Sequence, residues 1–144
     1  MLLRGLWHLC DDRVIRPVIR GEVEAGDGSW VQVPFLVDTA ADRTVFSADI
    51  LAALRLPPLV ASDRLCGVGG SAASVVVESQ IQFVREDASP IRLRGQYAAF
   101  TELEALDMSV LGRDITNLFA VIVDRPRDFV GLLGQRHQYV IQEQ

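Results

Sequence analysis

The chain has 144 residues, of which 49% are hydrophobic and 23% charged, and its formal net charge is −5. That size and composition fit one globular domain with a core that needs no disulfide or metal, and they exclude a disordered chain. All 14 basic residues are arginines scattered along the sequence, so there is no basic patch and nucleic acid is not expected as a partner.

The first dozen residues carry an apolar run too short and too interrupted for a secretory signal. No later stretch is long enough to span a bilayer. A protein of the cytoplasm, without membrane association, is the expectation. Residues 1–14 read as an N-terminal extension or as a strand given to a dimer sheet, and 15–144 as the single folded domain.

From Ile15 to Glu24 the residues alternate, with Ile15, Pro17, Ile19 and Val23 opposed to Arg16, Arg20, Glu22 and Glu24. Such a period of two is a half-buried strand. Ala25-Gly26-Asp27-Gly28 is a turn, and Trp30 to Val37 resumes extended structure, so a hairpin ends at Asp38. Thr44-Val45-Phe46 is a short extended piece. Ser47 then stands where it can cap a helix running through Leu54, with Asp49 in the first turn and Pro57-Pro58 stopping it.

Arg64 to Phe83 reads as a second hairpin with its tip at Cys66-Gly67-Val68-Gly69-Gly70-Ser71. The return strand alternates Val75, Val77, Ile81 and Phe83 against Val76, Glu78, Gln80 and Gln82. Glycines at such a tip let it bend and move. Ile91 to Ala99 is another strand, while Thr101 to Met108 follows neither period. Asp114 to Phe119 suits a short helix, and Ala120–Val123 with Phe129–Leu133 flank the turn Arg125–Asp128 as a late hairpin. His137 to Ile141 reads as a final strand. Many short strands with little helix predict an all-β domain of closed-barrel type.

Several side chains invite chemistry and carry none by pattern. Cys10 and Cys66 lack histidines at ligand spacing and read as structural thiols. His8 and His137 lie near the ends without an acid or nucleophile at useful spacing. Ser71, Ser74 and Ser79 lack the elbow of a serine hydrolase. Asp38 and Asp42 could offer oxygens to a hard cation, but the run lacks the further acids such a loop needs, so no metal and no cofactor are expected.

The segment that stands out is Phe35-Leu36-Val37-Asp38-Thr39-Ala40-Ala41-Asp42, where an apolar strand delivers an acid into a turn of small residues. Taken alone it reads as an ordinary strand-ending turn. It is followed, however, by the glycine tip at 66–71 and by a second apolar-to-polar transition, Ser109-Val110-Leu111-Gly112-Arg113-Asp114. In that order the three segments resemble the retropepsin-like aspartic proteases, and the resemblance extends over nearly all of the chain from Ile15 onward.

The resemblance implies an acid-protease fold and a homodimer in which each subunit gives one aspartate to a shared hydrolytic dyad. Two carboxylates at contact distance share one proton, so that one takes a proton from water while the other donates to the substrate carbonyl. Asp38 matches the catalytic acid, and Thr39 matches the residue whose hydroxyl reaches across the dimer axis. Ala40 stands where the family normally has glycine, and its methyl group could crowd the substrate or strain the backbone. Ala41 fits the pattern. Asp42 matches an acid that meets the arginine of the second motif, here Arg113, as a buried pair. Gly67, Val68, Gly69 and Gly70 match a flap closing over a peptide held in extended form. The implied activity is that of an aspartic endopeptidase, with a catalytically weak or inactive peptide-binding dimer as the alternative because of Ala40.

Overall fold

The computed structural model describes residues 1–61, 65–67, 70–134 and 140–142. The long alternating segments form where their periodicity places them. β3 covers Ile15–Glu24 and β4 Trp30–Val37, paired antiparallel from Val18 against Leu36 to Glu24 against Trp30. β9 (Ser74–Val84) and β10 (Pro90–Phe100) pair over their whole length. Two-residue strands, β5 (Val45–Phe46), β6 (Val60–Ala61) and β11 (Val110–Leu111), fill the gaps.

The neighbour order in the main sheet is β2-β3-β4-β11-β5-β10-β9-β6, and β3 also pairs with β9 through Glu22–Gln82 and Val23–Ile81. That extra pairing closes a ring of strands from β3 round to β9, with β2 (Leu6–Leu9) and β6 attached outside it. The expected barrel is therefore present, and closure removes two open sheet edges.

The barrel is filled by the inward residues of each alternation. Val77, Ile81 and Phe83 are buried on β9, as are Val23 on β3 and Val33, Phe35 and Val37 on β4. Phe46, Phe35 and Phe83 form a chain of tilted rings with centroids 6.2 and 6.0 Å apart, and Tyr97 stands 5.7 Å from Phe46. Tilted aromatic contacts of this spacing add to the free energy of area burial. The Tyr97 hydroxyl donates to the Leu93 carbonyl at 2.6 Å, and burial raises its pKa to about 12.

Some local expectations change. The helix α1, Ala48–Leu54, begins after Ser47, but the Ser47 side chain makes no capping bond. Its hydroxyl donates to Asp49 and lies 3.3 Å from the Ser109 hydroxyl, because the buried contact with β11's approach claims it first. The second helix, α2, is the single turn Arg113–Thr116, shorter than Asp114–Phe119 and one residue earlier. The ambiguous stretch holds a 3-10 turn at Leu103–Ala105. Most of the expected last strand, His137–Ile141, falls outside the described residues, and Val140 and Ile141 are not in a strand.

Two strands of the N-terminal segment, β1 (Leu2–Arg4) and β2, are built into the sheets, β2 by pairing with β3. β1 pairs with β13 (Phe129–Leu133), which pairs in turn with β12 (Ala120–Asp124). In this three-stranded sheet β12 is an edge. No helix among the described residues is long and apolar enough to cross a membrane.

Three turns store a dependence on acid. Asp27 and Asp87 each take a hydroxyl and a backbone N–H from the serine two residues on, and those bonds hold both carboxyls below the usual value of 3.8. Asp12 is drawn down to about 2, first by its hydrogen bonds from Arg16. A carboxyl whose pKa is lowered by folding stabilises the fold above its unfolded value and loses that effect as pH falls through the lowered one. The thermal midpoint is therefore expected to hold down to about pH 4 and to decline between about pH 4 and pH 2. A midpoint that is flat across that window contradicts these assignments.

Candidate active site

Asp38 follows directly on β4, at the point where β4 and β11 run parallel with Leu36 beside Val110 and Val37 beside Leu111. Its N–H donates to the Leu111 carbonyl at 3.2 Å, so the strand pairing carries one residue past the strand end and fixes where the turn begins. The turn then closes on the acid. Ala40 N–H donates to Asp38 Oδ1 at 3.0 Å, and Ala41 N–H to the Asp38 carbonyl at 3.2 Å. Asp38 is half-buried, and among the described residues its Oδ2 has no partner.

The second motif grips this turn from the other side. Arg113 N–H donates to the Ala41 carbonyl at 2.8 Å, and its guanidinium Nη1 reaches the carbonyls of Thr39 at 3.0 Å and Ala40 at 3.3 Å. The same side chain meets Asp42 through Nη2. One planar fork thus satisfies two turn carbonyls and a carboxylate, a task for which arginine is shaped and lysine is not.

The expectation of a buried Asp42–Arg113 pair is corrected: the side chains are 82% and 42% exposed. Thr39, Ala40 and Asp42 of the turn are all exposed, so solvent reaches the carboxylate. An exposed bridge stabilises little, about 0–1 kcal/mol, so the role of Arg113 lies in shaping the turn.

Ala40 is exposed and does not have a positive φ, so its methyl group strains nothing in the backbone. The interaction it supplies comes from its N–H, which alanine and glycine share. Thr39 is also exposed, and Arg113 is bonded to its carbonyl. At the glycine tip, β7 (Leu65–Gly67) and β8 (Gly70–Ala72) pair with Gly67 opposite Gly70, and Val68 and Gly69 lie outside the described residues.

One residue of the site lies outside the motifs. Thr44 is fully buried and joins both halves: its N–H and hydroxyl donate to Asp114 Oδ1 at 2.9 and 2.7 Å, and its oxygen accepts from Gly112 N–H at 3.1 Å. The available signal was a small hydroxyl residue just before β5 and an acid next to Arg113. Gly112 packs so closely on Arg43 that a Cβ there would lie 2.2 Å from the Arg43 carbonyl carbon. Glycine at this position thus lets the backbones of the two segments come into contact.

By strand alternation Pro34, Leu36 and Asp38 share one face of β4, opposite the buried Val33, Phe35 and Val37. A groove of about 510 Å³ lies along that face, lined by Pro34 and Leu36, by Leu106, Asp107 and Met108, and by His8, Cys10, Asp11, Asp12 and Arg16. It does not include Asp38. It ends at Leu36, two residues short, or roughly 7 Å along an extended strand. No group of three or more histidine, cysteine, aspartate or glutamate side chains suited to a metal occurs among the described residues.

The sequence model of a family described as aspartyl protease matches residues 20–115, from the middle of β3 through α2. The chain belongs to the aspartyl protease family. Within it, the fold of this chain is retropepsin-like. It is similar to a retropepsin-like aspartic protease from Rickettsia conorii, with a TM-score of 0.53 at 17% identity, over 92% of this chain and 90% of that one. It is also similar to the EIAV protease complexed with the inhibitor HBY-793, with a TM-score of 0.52 at 18% identity, over 71% of this chain and 86% of that one. At such identities the likeness is one of fold. No curated protein matches this chain.

Proposed function

We propose that this protein is an aspartic endopeptidase that works as a homodimer, with Asp38 of each subunit forming the hydrolytic dyad. The observation that carries the proposal is the state of the three acids around the turn. Asp42 is engaged by Arg113, and Asp114 is spent on Thr44, so both serve the scaffold. Asp38 alone of the three takes no bond from a side chain: its Oδ1 accepts only the Ala40 N–H, and its Oδ2 has no partner among the described residues. General acid–base hydrolysis of an amide by carboxylates needs two of them, and the second comes from another copy of the chain.

The position of β12 supports this pairing. Among the described residues it is an apolar edge with no outer neighbour, Ala120-Val121-Ile122-Val123, and it begins seven residues after the arginine that holds the turn. An open edge of this kind invites a further strand, and a two-fold axis beside it would bring the two turns together. In the dimer one carboxylate takes a proton from the attacking water while the other, protonated, donates to the scissile carbonyl. The peptide lies extended along the β4 face, and the hairpin tip at Gly67 and Gly70 closes over it.

The reading of a binding dimer without activity rests on Ala40, and the backbone there is unstrained. Catalysis is therefore the better supported reading. The test is cleavage of a peptide library at mildly acid pH. Hydrolysis that a statine-type inhibitor blocks, and whose specific activity falls on dilution as subunits separate, supports the proposal. Activity independent of protein concentration, or none on any peptide, counts against it.

A further inference from the structure

We infer that the groove beside Asp38 takes a basic side chain, so that the preferred substrate carries lysine or arginine next to the residues held at the dyad. The inference rests on the peptidase reading above for its biological meaning, but its geometry stands on the groove alone. The floor is apolar, made by Leu36, Leu106 and Met108. The charged residues that line it are not equivalent. Arg16 and Asp12 neutralise one another through a two-pronged pair with bonds of 2.9 and 2.7 Å. Asp11 and Asp107 remain, both exposed, and neither has an ion-pair or hydrogen-bond partner among the described residues.

A lysine or arginine side chain matches that arrangement from end to end. Its methylene stem can lie on Leu36 and Met108 while its charged head reaches a carboxylate at the rim. An acidic side chain meets like charge, and a purely apolar one leaves both carboxylates unanswered. The net charge of −5 adds a favourable field for basic segments approaching from solution. A volume of about 510 Å³ holds such a side chain together with its neighbours on an extended peptide.

The test separates recognition from catalysis by using the Asp38→Asn protein, which binds without cutting. Two fluorescein-labelled decapeptide pools, identical except for lysine or norleucine at one central position, are titrated by fluorescence anisotropy at pH 6 to 7 and low salt, where carboxylates are charged. The lysine pool is expected to bind about fivefold more tightly, the upper range for a pair with exposed carboxylates. That advantage should disappear in the same protein carrying Asp11→Asn and Asp107→Asn, at an unchanged thermal midpoint, while norleucine binding stays within about twofold. Equal affinity of the two pools, binding of neither, or an advantage that survives removal of both carboxylates overturns the inference. Lysine selectivity in a protein whose unmutated form cleaves nothing would leave this inference standing and remove the peptidase reading.

Discussion

Asp38→Asn is expected to abolish peptide hydrolysis, by at least about a thousandfold in kcat/KM, without unfolding the protein. The substitution keeps the shape of the side chain and an oxygen that can accept the 3.0 Å bond from Ala40 N–H, so the turn has no reason to move. What it removes is the capacity to take up a proton. In the proposed dimer both subunits carry the change, so no carboxylate is left to activate water. The thermal midpoint should stay close to that of the parent protein, which distinguishes lost chemistry from lost structure. A sharper form of the measurement mixes the parent with a large excess of Asp38→Asn subunits. Mixed dimers hold one carboxylate, so activity per parent subunit should collapse as they form. A protein that catalysed as a monomer would be indifferent to the added subunits, and that result would end the shared-dyad account.

Gly112→Ala should have the largest effect on stability. A Cβ at this position meets the Arg43 backbone at 2.2 Å from its carbonyl carbon and 2.3 Å from its oxygen, both far inside contact distance. Backbone cannot swing aside as a side-chain tip can. Relief requires β11 and the segment before β5 to part, which strains the Gly112 N–H bond to Thr44 and, through it, the two bonds from Thr44 to Asp114. Overpacking of this kind combined with broken buried hydrogen bonds costs about 3 kcal/mol or more, a large share of the ~5–15 kcal/mol that holds a domain of this size together. The midpoint of urea unfolding reads it directly. A loss below about 1 kcal/mol would mean that the two segments are less tightly apposed than described.

Much of the barrel was legible in the residues because a period of two is a strong signal wherever one strand face is wet. β3 and β4 begin and end where their alternation does, and the burial of Val77, Ile81 and Phe83 follows from the same pattern. The strands of two residues were harder. β6 and β11 owe their existence to partners distant in sequence, and no local period exists over two positions. The first residues have too little alternation to announce that they pair with β13 and β3, a placement decided by the other strand in each pair.

The site was legible in its outline and obscure in its supports. Asp38 and Arg113 stand out because each follows an apolar run. Asp114 was passed over because the sequence alone cannot reveal that a threonine 70 residues earlier will donate to it twice. The burial expected of the Asp42–Arg113 pair failed for a similar reason, since nothing in either motif records that the turn opens to solvent. The groove residues come from the β2–β3 connection, from β4 and from the approach to β11, and only the closed sheet assembles them.

The bond from Ala40 N–H to Asp38 also makes the two carboxylate oxygens unlike each other. An oxygen that already accepts an amide hydrogen is the poorer place to put a second hydrogen, so in the proposed dyad the shared one belongs on Oδ2. The polypeptide thereby decides, before any substrate arrives, which side of the carboxyl can give and which can only receive. Any amino acid with an amide hydrogen preserves that asymmetry at residue 40, whatever its side chain. Proline, which has none, is the one replacement that would erase it.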